Sequence, residues 1–71
     1  MKYAVVIEEA DGNFSAYVPD LPGCVATGAT TDEAEAEIAV AIGFHIEGLL
    51  EDGLPVPEPK SAVAYVEARA A

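Results

Sequence analysis

All five prolines of this 71-residue chain fall in two short stretches, Pro19-Asp20-Leu21-Pro22 and Leu54-Pro55-Val56-Pro57-Glu58-Pro59. Proline has no amide hydrogen and a fixed φ, so neither stretch can lie inside a helix or a central strand. Regular structure is therefore confined to the segments before, between and after them. The first segment reads as a hairpin. Lys2 to Glu9 (KYAVVIEE) is rich in β-branched and aromatic residues and leads to Asp11-Gly12, a dipeptide suited to a tight turn. Phe14 to Val18 (FSAYV) returns. Period-two alternation puts Tyr3, Val5 and Ile7 on one face, with Phe14, Ala16 and Val18 on the matching face of the partner. Ala4, Val6 and Tyr17 take the other face, which is either exposed or buried against another subunit.

The middle segment holds a weaker third strand, roughly Gly23 to Gly28, and then a well-marked helix start. Thr30-Thr31-Asp32-Glu33 fits a capping box, and its acidic side chains oppose the positive end of the helix dipole. Ala34, Ile38, Ala41, Ile42, His45, Ile46 and Leu49 follow helical spacing in one apolar stripe, with Glu33, Glu37, Glu47 and Glu51 largely opposite. Gly53 is the expected stop, and the three prolines beyond it favour an extended path. The last segment, Ala62 to Glu67, reads as a strand. The expected fold is one α+β domain over residues 1–71 in the order β-β-β-α-β. A three-stranded antiparallel sheet packs on one helix, and the proline segment brings back a fourth, C-terminal strand.

Charge narrows what such a domain can do. Thirteen Asp and Glu face three basic residues, Lys2, Lys60 and Arg69, for a formal net charge of -10. Nucleic-acid binding rests on a basic patch that releases counterions, and three scattered cations do not make one. The acidity instead suits a basic protein partner, or simply keeps the chain soluble. A domain of this size buries only about 60% of the surface its unfolded chain exposes, which argues against a large internal substrate cavity. A single cysteine forms no internal disulfide, the opening MKYAVVIEEA lacks the apolar core of a secretory signal, and no apolar run approaches a membrane span. The expected location is the cytoplasm.

No catalytic constellation emerges. His45 lies within the apolar stripe and reads as a core or interface histidine. Cys24, in apolar and acidic surroundings, lacks the basic neighbour that would activate a thiol, and the two together do not make a metal site. Among the aspartates Asp11 serves a hairpin turn, Asp32 a helix start and Asp52 a helix end. Only Asp20, at a strand end, has no evident local task. We therefore expect no enzyme, no metal and no cofactor.

The succession YAVVIE, DGNFSAYVPDLPGCVATGAT, TTDEAEAEI and HIEGLLEDGLPVPEP resembles the N-terminal domain of the HicB family of antitoxins over nearly the whole chain. PDLPGC followed at this distance by EDGLPVPEP carries the match. The resemblance implies a partly RNase H-like fold without nuclease activity. It also implies a role in a type II toxin-antitoxin pair, in which the antitoxin covers the catalytic histidine of a small basic HicA-type mRNA interferase. Many members continue into a helix-turn-helix or ribbon-helix-helix segment, whereas this sequence stops at Ala71, which implies a short form without direct DNA binding. The alternative is a stand-alone homodimeric domain with a structural or small-ligand role and no toxin.

The stretch PDLPG has two readings. As a binding loop it offers Asp20 as a charge and Leu21 as an apolar anchor, with Pro19 and Pro22 stiffening it and Pro55 to Pro59 stiffening a second loop for presentation to a partner; with Glu51 and Asp52, the residues Asp20, Leu21 and Pro22 are the expected partner contacts. As a connection it steers strand two into strand three, with Gly23 in a backbone angle other residues resist. Self-association as a two-fold dimer or a higher homo-oligomer is also expected.

Overall fold

The computed structural model describes residues 1–70. Three short strands, β1 (Val6–Glu9), β2 (Phe14–Tyr17) and β3 (Val25–Gly28), precede one helix, α1 (Thr31–Glu51). They form an antiparallel sheet in the order β1-β2-β3. Val6 lies opposite Tyr17 and Glu9 opposite Phe14, which leaves Asp11-Gly12 at the hairpin tip, with Gly12 at φ 82°. Phe14 lies opposite Gly28 and Tyr17 opposite Val25.

The alternation read from the sequence sets the core. Ala16 and Val18 are buried, with Tyr3, Val5, Ile7 and Phe14 packed against them. Ala34 and Ile38 complete the core from the helix side. The helix lies mainly over β3 and β2 and scarcely reaches β1. Close approach is possible because Gly28 has no side chain: a Cβ there would lie 2.8 Å from the Glu33 carbonyl carbon and 2.9 Å from the Ala34 Cα.

Both helix ends follow the expected chemistry. The Thr30 hydroxyl accepts from the Glu33 amide at 3.1 Å. At the other end the Gly53 amide donates to Leu50 and the Leu54 amide to Leu49, at 3.1 and 2.9 Å, with Gly53 at φ 67°. This is the paired pattern of a glycine-terminated helix.

Two departures stand out. The helix has 21 residues, about 32 Å, whereas each strand has four, about 13 Å. The second half of α1 therefore overhangs the sheet, and His45, Ile46 and Leu49 are half-buried, not core. The fourth strand expected over Ala62–Glu67 is not formed within the chain. Residues 60–70 are exposed and have no ladder partner.

Candidate functional site

The loop after β2 is two consecutive turns. Leu21 donates to the Val18 carbonyl at 3.1 Å, closing a turn over Pro19-Asp20; Cys24 donates to the Leu21 carbonyl at 3.0 Å, closing a second over Pro22-Gly23. Proline at the second position of each turn presets its φ, and Gly23 supplies φ 85° where the second turn needs a positive angle. The Val18 amide then donates to the Cys24 carbonyl at 3.2 Å, joining the ends of the loop. Leu21, between the turns, points inward and is fully buried.

That placement changes the roles expected of this loop. Leu21 is a core residue and cannot serve as an exposed anchor. Asp20 is 9% exposed and does not present its charge outward either. Its Oδ2 accepts from the backbone amides of Lys60 at 2.9 Å and Ser61 at 2.8 Å, and its Oδ1 accepts from the Ser61 hydroxyl at 2.7 Å. The amide bond from Ser61, then its hydroxyl bond, hold the Asp20 carboxyl below the ordinary aspartate range; the Lys60 amide and charge add to this, and burial opposes it. Asp20 is thus a latch between the first proline stretch and the second. A second tie lies nearby: the Tyr3 hydroxyl donates to the Pro57 carbonyl at 2.6 Å.

Between the tied segments lies an open groove of about 510 Å³ lined by Pro19, Asp20, Pro22, Pro57, Glu58 and Lys60. Pro22 is exposed at its rim. Glu51 and Asp52 are exposed at the C-terminal end of α1 and do not line it. Sequence reasoning took Pro55 to Pro59 as a second stiffened loop offered to a partner, but it did not place that loop against Pro19–Pro22 and it missed Lys60. The one signal that pointed to the pairing was Asp20 itself, an aspartate with no partner among its sequence neighbours.

The remaining candidates have structural positions. Cys24 is buried, and burial pushes its thiol pKa up, which disfavours the reactive thiolate. Among the described residues no three His, Cys, Asp or Glu side chains cluster as a metal site would require. Every acidic residue except Asp20 is exposed. Among the described residues no helix is long and apolar enough to cross a membrane.

A sequence profile described as the HicB-like antitoxin of bacterial toxin-antitoxin system matches residues 3–70. The chain belongs to the HicB-like antitoxin family. A chain of the solved HicA3 and HicB3 toxin-antitoxin complex shares its fold, with a TM-score of 0.74 and 32% identity over 84% of this chain and 70% of the other. A 14.9 kDa protein from the rep-hol intergenic region of Haemophilus phage HP1 is 39% identical over 93% of this chain, which spans only 50% of that protein. A UPF0150 protein of Thermoplasma acidophilum is 38% identical over 96% of this chain and all of its own length. Another, from Synechocystis, is 42% identical over 79% of this HicB-like chain.

Proposed function

We propose that this HicB-like chain acts in the cytoplasm as the antitoxin of a type II pair, without catalysis of its own, by binding and occluding a small basic HicA-type mRNA interferase. The observation that carries the reading is the shared fold, at 32% identity, with a chain of a toxin-antitoxin complex. The surface supports it: twelve of the thirteen carboxylates are exposed, and such a surface attracts a basic partner and excludes like-charged competitors. Contact falls to the rim of the proline groove at Pro22 and to the acidic helix end at Glu51 and Asp52. Asp20 and Leu21 act there indirectly, by holding the loop in the shape the partner meets.

The finer fold assignment, a partial RNase H-like sheet completed by a fourth strand, belongs to the same proposal, as does homodimer formation. The test is titration of a purified HicA-type toxin with this chain, following RNA cleavage and complex formation at low and high salt. Cleavage should stop at stoichiometric chain, and affinity should fall about tenfold or more as salt screens the charges. A toxin that cleaves unhindered at every ratio refutes the antitoxin reading and leaves a stand-alone homodimeric domain.

A further inference from the structure

The residues after Ser61 have the composition of a strand and none of its contacts. Val63 is 52% exposed, Tyr65 97% and Val66 87%. The run Ser61 to Val66 (SAVAYV) also carries no charge, on a molecule whose surface is otherwise strongly acidic. Along Ala62 to Val66 two copies can therefore meet without setting carboxylate against carboxylate, and the carboxylates of such a contact are confined to Glu67 and to Glu8 and Glu9 at the end of β1.

Its point of departure is fixed. Asp20 grips the amides of Lys60 and Ser61, Tyr3 holds the Pro57 carbonyl, and prolines 55, 57 and 59 stiffen the path between helix and latch. From there the segment leaves the body. The molecule extends 51 Å along its longest axis, well beyond the roughly 32 Å of its helix.

The body carries the matching vacancy in the sheet. β1 pairs with β2 on one side only, so its other edge presents unpaired backbone groups. Along it Val6 and Ile7 are half-buried and Glu8 and Glu9 exposed, and Tyr3, Ala4 and Val5 just before it are half-buried too, with Tyr3, Val5 and Ile7 packed on the core. The overhanging half of α1 leaves Ile42, His45 and Ile46 half-covered as well. The sheet's other edge, β3, lies where most of α1 packs, so each chain holds one projecting strand-like segment and, at β1, an edge the helix scarcely reaches.

We propose that residues 62–67 of one chain add as a fourth strand beside β1 of a second copy, which returns its own segment in the same way. A reciprocal exchange is isologous, so it closes as a two-fold dimer and leaves neither β1 edge open. It would order two tyrosines and four valines that are otherwise in water. The inference rests on the self-association reading and is independent of toxin binding.

The test uses the 71-residue chain alone, with light scattering for mass and hydrogen exchange for residues 62–67, at high and low concentration. We expect a dimer whose segment amides are protected when concentrated and lose protection on dilution, with isotope-filtered contacts between Tyr65 of one copy and β1 of the other. Tyr65→Pro removes a ladder donor outside the folded body, so it should keep the helical circular dichroism while weakening the dimer about tenfold or more. A dimer indifferent to Tyr65→Pro overturns the exchange but leaves self-association standing. A monomer at all concentrations overturns both. Segment amides protected in a monomer show that the strand folds back on its own β1, and this too overturns the exchange.

Discussion

Asp20 concentrates the tertiary information of this chain in one side chain. Its partners, Lys60 and Ser61, lie 40 and 41 residues away in sequence. The sequence marks it as the aspartate without a local task, yet nothing in the sequence says that its task is to accept backbone amides from the far end of the chain. Because these bonds favour the charged form, the folded carboxyl titrates below its unfolded value of about 3.9. The stability the latch contributes is therefore complete above that value and is lost as pH falls through the lowered folded one. Following the Asp20 carboxyl and the Lys60 and Ser61 amides by NMR should give the same low midpoint for all three. Gly28 is a second position where one residue decides a packing distance. Gly28→Ala would push a Cβ into the backbone of Glu33 and Ala34, and should cost about 1–3 kcal/mol in urea unfolding.

At the level of elements, the helix is the most legible part of the chain because its signals are local. Thr30 caps it, Gly53 ends it, and the spacing of Ala34 and Ile38 turns its buried face to the sheet. Thr30→Ala removes the acceptor for the Glu33 amide and should lower stability by about 1 kcal/mol, read as a fall in Tm of about 4–8 °C for a domain this size. The hairpin is legible for a similar reason, since period-two alternation and Asp11-Gly12 together specify its register. The PDLPG loop is legible only by half. Its prolines and Gly23 announce turns, but the inward aim of Leu21 follows from two turns closing back to back. The reading of PDLPG as a connection, with Gly23 at a positive φ, therefore holds, and the reading of it as a binding loop with Leu21 as exposed anchor does not.

For the molecule as a whole, charge and shape act together. Twelve exposed carboxylates against three cations repel one another across a thin two-layer body. Moderate sodium chloride should therefore raise Tm in calorimetry, by screening this repulsion. The same salt should weaken association with the basic toxin proposed as partner, so that under this proposal one variable moves fold and partner affinity in opposite directions. A chain whose stability falls with added salt would show that attractive pairs outweigh the repulsion. The acidic surface, the two-layer architecture and the family were all legible without coordinates, because composition, periodicity and the order of PDLPGC before EDGLPVPEP are properties of the chain.

Sequence alone determined the hairpin about Asp11-Gly12, the strand that precedes the helix, the helix and its two ends, and which faces are apolar, because propensity, capping and alternation act over a few residues; it drew the first strand too long, from Lys2 where β1 starts at Val6. Tertiary structure decided what Asp20 holds, that Leu21 is core, how far α1 overhangs its sheet, and that residues 62–67 have no partner within the chain. Each of these depends on distances between segments remote in sequence, and the last also on a proline segment whose direction is fixed only when Asp20 and Tyr3 close upon it.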